Sequence, residues 1–186
     1  MIKKSIWIGM VLGICLSMSG CLKDMKEVES IKKEETTKKS EVYVGEQAYD
    51  FTLLDREGNE IRLSDLKEKV VLINFFTTKS PNAVKELKDL QQVYEKYEKD
   101  DVVTLAVNVL AAEKKDMEEV NAFLDEKGYT FPVLFDINGD VAIGYKVRKY
   151  PFTYIIDEKG KITDFSWEVM DKEEMIQKIE KARQNK

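Results

Sequence analysis

The chain has 186 residues, of which 43% are hydrophobic and 35% charged, with a formal net charge of −5. That apolar content is enough for a packed core and argues against a disordered chain, and the acidic balance gives no hint of a nucleic-acid partner. Histidine is absent and the two cysteines, Cys15 and Cys21, lie at the N-terminus, so the rest of the chain has no imidazole base, zinc–thiolate centre, internal disulfide or thiol nucleophile.

Residues 1–20 combine Lys3 and Lys4, an apolar stretch from about Ile6 to Leu16, and small residues Ser19 and Gly20 ahead of Cys21, which is the order of a secretory signal. The apolar stretch is shorter than the roughly 20 residues a spanning helix needs. Met18-Ser19-Gly20-Cys21 resembles the lipobox of bacterial lipoproteins, with Met18 where leucine is commoner. The resemblance implies that Cys21 takes a diacylglycerol on its sulfur and becomes the mature N-terminus. Acyl chains contribute about 0.8 kcal/mol per buried methylene, so they would anchor the protein to the outer face of the cell membrane. An uncleaved N-terminal anchor is the alternative, and it too leaves the lysines cytoplasmic and the remainder outside. Once residues 1–20 are removed, 28 basic and 35 acidic residues remain, a net of −7.

Residues 21–40 alternate acids and lysines with few apolar positions. They read as a charged linker after the lipidated cysteine, with a reach of roughly 25 Å if flexible. Residues 41–186 have the length of one ordinary domain. Asp50–Asp55 and Glu60–Leu63 flank the turn signal Arg56-Glu57-Gly58-Asn59 and suggest a hairpin. Val70–Phe76 is an apolar run suited to a strand buried on both faces. Residues 82–98 follow with helical period, placing Val84, Leu87, Leu90, Gln91 and Tyr94 on one face and the lysines and acids on the other.

Val102–Val109 reads as a second buried strand. Asp116–Lys127 reads as an amphipathic helix presenting Val120, Phe123 and Leu124, and Gly128 ends it. Asp136–Asp140 looks like a calcium loop only superficially, since it lacks the glutamate twelve residues in, and it reads as a turn. Thr153–Asp157 and Ile162–Phe165 suit strands around a Glu158–Lys161 turn. A helix over 171–183 closes the domain, with Trp167 expected to pack near it. The expected class is α/β, with a central mixed sheet flanked by helices.

Several blocks resemble the TlpA/ResA-type thioredoxin-like (redoxin) family. They are the Phe51–Leu66 hairpin block, Asn74–Leu87 (NFFTTKSPNAVKEL), Ala106–Val109, Phe131–Val133 and Pro151–Asp157. The resemblance covers about residues 42–182 and implies a thioredoxin-like fold with an N-terminal β-hairpin extension. In the family frame Ser80 stands where the nucleophilic cysteine belongs, Ala83 where the resolving cysteine belongs, and Lys79 where tryptophan is usual. Thiol–disulfide exchange needs two thiols, the first activated at a helix N-terminus. Serine is far less acidic and forms no disulfide, and alanine offers nothing. The glutamate some relatives carry just after the Ala106–Val109 strand is missing, with Glu113 out of frame.

Ser80 suits a helix N-cap and Pro81 the first helical position. Pro151 matches the family's cis-proline, which exposes the main chain of the preceding residue, here Tyr150, to a bound polypeptide. The candidate binding groove is therefore Lys79, Ser80, Pro81, Asn82, Tyr150 and Pro151, with no catalytic residue, cofactor or metal. Three readings stay open. The first is a non-catalytic protein- or peptide-binding lipoprotein. The second is a participant in thiol–disulfide traffic that uses a partner's cysteines, and the third is a structural surface protein.

Overall fold

A run of seven residues with only Asn74 polar needs cover on both faces. In the computed structural model, which describes residues 44–97, 99 and 101–184, that run is β3 (Val70–Phe76), buried at every position. The expected signal segment and linker lie outside the described residues. β3 sits between β4 (Val102–Asn108), parallel to it, and β6 (Phe152–Ile156), antiparallel. With β1 (Thr52–Asp55), β2 (Glu60–Arg62), β5 (Val133–Phe135) and β7 (Ile162–Ser166), the sheet runs in the order β2-β1-β5-β4-β3-β6-β7. The hairpin β1–β2 extends the sheet beyond β5, to which β1 pairs antiparallel. The architecture is the expected mixed α/β sheet.

Alternation along β3 sorts the core into two layers. Val70, Leu72 and Phe76 face the layer of α1 (Pro81–Tyr97), α2 (Met117–Lys127) and α4 (Lys172–Arg183), packing with Leu87, Leu90, Leu124 and Ile179. Val71, Ile73 and Phe75 face the opposite layer, with Phe51, Tyr145 and Tyr154. There the Tyr154 hydroxyl donates to the Tyr145 carbonyl at 2.6 Å, and the Tyr145 hydroxyl to the Tyr49 carbonyl at 2.8 Å. Buried phenols need such partners.

Helix ends follow local chemistry. Asp116 closes a capping box with Glu119, and Gly128, at φ 69°, ends α2 in the left-handed region. Asp171 caps α4 by accepting from Glu174 N at 2.9 Å.

One expectation needs correction, and two regions gain detail. The buried face of α1 is Ala83, Glu86, Leu87, Leu90, Val93 and Tyr97, while Val84, Gln91 and Tyr94 are only half-buried. The acids therefore do not all lie outward, because Glu86 is fully buried. The Asp136–Asp140 turn also leads into a further short helix, α3 (Asp140–Gly144), and the Asp136 carboxylate is buried against its start, accepting from Ala142 N at 2.8 Å. Trp167 packs on Phe165 at 5.6 Å and lies under the Lys149 ammonium.

Candidate functional site

β3 and β4 are parallel, so the loops leaving their C-terminal ends emerge on one edge of the sheet. The loop after β3 is the Thr77–Ser80 turn, which opens α1. Ser80 is its cap, with the carbonyl accepting from Val84 N at 3.0 Å and the Oγ from Ala83 N at 3.3 Å. Pro81 takes the first helical position, where its missing N–H costs nothing.

The Tyr150–Pro151 peptide bond is cis, and it brings the loop before β6 against this turn. Ser80 Oγ donates to the Tyr150 carbonyl at 2.9 Å. Of the sequence-derived candidates, Ser80 and Tyr150 thus meet directly. Pro151 is buried beside them, Lys79, Pro81 and Asn82 are exposed, and Ala83 is fully buried on the inner face of α1. Cys21 lies outside the described residues.

Two carboxylates define the surroundings, and sequence reasoning passed over both. Glu113, set aside as out of frame, reaches the turn. Its carboxylate accepts from the Thr78 N–H, from Thr78 Oγ1 at 3.1 Å and from Asn108 Nδ2 at 2.9 Å. The short helical turn Leu110–Ala112 folds the chain back and delivers it there.

Glu86 lies beneath the turn, one helical turn after Ala83. Asn74 and Thr153 are paired in register on β3 and β6, so both point at the face that α1 covers. Asn74 Nδ2 donates to Glu86 Oε1 at 2.7 Å, Thr153 Oγ1 donates to the same oxygen at 3.0 Å, and Met170 N donates to Oε2 at 2.7 Å. Burial pushes the Glu86 carboxyl up to about 7, against the pull of these three donors. Burial also raises the Tyr150 phenol, helped by the negative charges of Asp136 and Glu113.

The signal for Glu86 was present in the sequence. It shares the spacing of Ala83, Leu90 and Val93, and Asn74 interrupts an otherwise apolar strand. An acid on a helix's apolar stripe opposite a polar strand residue marks a buried network.

A helix-opening turn held against a cis-proline, at the end of a central strand of a mixed sheet, defines a thioredoxin-like domain. The chain belongs to the AhpC/TSA family, whose family model matches residues 44–165. It is 39% identical over 148 residues to the thioredoxin-like protein YneN of Bacillus subtilis, covering 78% of this chain and 85% of that one. It is 36% identical to the thiol-disulfide oxidoreductase ResA of Geobacillus thermodenitrificans, covering 79% and 82%.

Among solved structures, StoA from Bacillus subtilis superposes with a TM-score of 0.64 at 25% identity, covering 70% of this chain and 96% of that one. The exposed lipoprotein thioredoxin Etrx1 of Streptococcus pneumoniae superposes at 0.65 with 28% identity, covering 72% and 99%.

Proposed function

We propose that the protein is a lipid-anchored, extracytoplasmic thioredoxin-like module that binds a polypeptide without redox chemistry of its own. The family resemblance puts Ser80 and Ala83 at the two cysteine positions of the redox motif, and the only two cysteines of the chain are Cys15 and Cys21. The observation that carries the reading is the 2.9 Å bond from Ser80 Oγ to the Tyr150 carbonyl. The helix-opening turn and the cis-proline loop remain joined without a thiol, and the main chain beside Tyr150 can hold an extended segment by strand-like pairing. Cys21 is the lipidation site, reached through the signal-like residues 1–20, and the charged linker lets the domain stand off the membrane.

A second reading, participation in thiol–disulfide traffic with cysteines supplied by a partner, is favoured by the similarity to ResA. Insulin-disulfide reduction compares the parent protein with Ser80→Cys/Ala83→Cys. The proposal expects an inert parent and an active double variant, and an active parent overturns it. A partner pulled down by the parent and lost with Ser80→Ala/Tyr150→Ala supports binding at this site. Recovery indifferent to those substitutions points to a structural surface protein instead.

A further inference from the structure

The charge around the Ser80 turn runs opposite to that of the domain. Residues 42–186 carry 29 acidic and 22 basic residues. Three segments nevertheless converge on the turn with six cations. Lys79 lies on the turn itself. Lys114 and Lys115 follow Glu113, which is bonded to Thr78, and Lys146, Arg148 and Lys149 lead into Tyr150, which is bonded to Ser80.

The nearby acids are hydrogen-bonded or paired within the protein, and Glu113 and Asp136 keep their negative charge on the Tyr150 side of the turn. Glu113 serves Thr78 and Asn108, Asp116 caps α2, and Asp136 is buried against α3. Glu168 pairs with Lys149 at 3.0 Å. Lys115 lies over the Phe123 ring at 5.6 Å. Lys79, Lys114 and Arg148 are exposed and make no ion pair among the described residues. Trp167 is 49% exposed, its ring held between Phe165 and the ammonium of Lys149, the neighbour of Arg148 and Tyr150 in the chain, 5.6 Å from each.

A domain with an excess of acids that exposes three cations without ion pairs, on segments that meet at the Ser80 turn, is complementary there to an anionic partner. We infer that the site accepts an acidic, extended polypeptide segment, its carboxylates opposite Lys79, Lys114 and Arg148 and an apolar side chain against Trp167. This rests on the binding role proposed above for the same site and adds the chemistry of what is bound. A polypeptide fits better than an anionic membrane surface. The cation-bearing segments lead to the Ser80 turn and to Tyr150, whose carbonyl keeps a second lone pair beside the Ser80 hydroxyl for a peptide N–H, a directional group that a headgroup layer has no use for.

The test is fluorescence anisotropy of the full-length chain with three labelled 12-residue peptides. They share one tryptophan and differ only in four positions, all glutamate, all glutamine or all lysine. Phosphatidylglycerol vesicles form a fourth arm. The acidic peptide should bind best, weaken as salt rises, and lose about fivefold or more in affinity with Lys79→Gln/Arg148→Gln, since each exposed pair is worth about threefold. Lys181→Gln, near the far end of α1, should bind as the parent does.

Equal binding of all three peptides, or preference for the lysine peptide, overturns the charge inference while leaving a polypeptide site in place. Binding to vesicles alone, lost in the double variant, overturns both in favour of a membrane surface. An absence of binding in every arm overturns the polypeptide site itself.

Discussion

Glu86 Oε2 accepts a 2.7 Å hydrogen bond from the main-chain N–H of Met170, so the helix that Ser80 caps is tied through one carboxylate to the loop that carries Trp167. The same carboxylate holds Asn74 and Thr153 on two strands. Four elements therefore meet at one titratable group, and breaking that group's charge state is felt by all of them.

The pH dependence of stability follows from its sign. Burial raises the folded-state pKa of Glu86 to about 7, from an ordinary 4.5 in the unfolded chain. A raised pKa stabilises the fold fully below about 4.5, and that contribution is lost as pH climbs through about 7. The loss amounts to about 3 kcal/mol across that window. Urea unfolding at pH 5, 6, 7 and 8 should show the decline in the parent and a much flatter profile in Glu86→Gln. Parallel profiles would mean that Glu86 does not titrate in this range.

Ser80 both caps α1 and bonds Tyr150, so Ser80→Ala should cost about 1–2 kcal/mol of unfolding free energy. Ser80→Thr should recover most of it, since a threonine hydroxyl caps nearly as well. Chemical denaturation of the three proteins decides the point, and an alanine variant as stable as the parent would dissolve the link between the two loops.

Glu113→Ala removes a charge-assisted acceptor from Thr78 and Asn108 and should destabilise by about 1–3 kcal/mol. It also removes one of the negative charges that raise the Tyr150 phenol. The Tyr150 hydroxyl should therefore ionise at lower pH in the variant, as followed by NMR of a ring-labelled tyrosine sample. An unmoved titration would place Glu113 electrically apart from Tyr150.

Gly128 ends α2 at φ 69°, a conformation that a β-carbon disfavours, and nothing lies within 4 Å of where that carbon would sit. Gly128→Ala should thus cost about 1 kcal/mol through backbone strain alone, and Gly128→Asn less. Thermal melts of the two variants separate this from a packing effect, which would penalise the larger asparagine more.

The sheet and the main helices were legible because their periods are strong. Val70–Phe76 and Val102–Val109 could hardly be anything but buried strands, and Asp116 with Gly128 bracket α2 by their chemistry. The Ser80 turn and Pro151 were legible too, since serine before proline and a family block marked them. What escaped had short or mixed signals. β5 has three residues and α3 five, too few for any period to show. Glu113 was misjudged because a tight turn at Leu110–Ala112 shifts its position in space relative to its count along the chain. Glu86 escaped because its charge points to a solvated face while its position on the helix points inward. The face of α1 is set by Ala83 and Tyr97 at its two ends, and those residues carried little weight in the sequence.

The first described residues have a role that reaches the rim of the sheet. Gly45 N donates to the Ile162 carbonyl, Ile162 N to the Glu46 carbonyl, and Ala48 N to the Gly160 carbonyl, at 2.7–2.9 Å. The leading segment therefore lies along the start of β7 and occupies main-chain groups that would otherwise be open to another strand. At the opposite rim, β2 is three residues long and carries Glu60 and Arg62. Both rims are thus guarded against templated growth of the sheet, one at the start of β7 by the chain's own entry and one by brevity and charge. Copies crowded side by side would be guarded against fusing into a shared sheet. A chain shortened to begin after Ala48 would keep its core yet lose that guard, trading a monodisperse protein for one prone to strand-to-strand association.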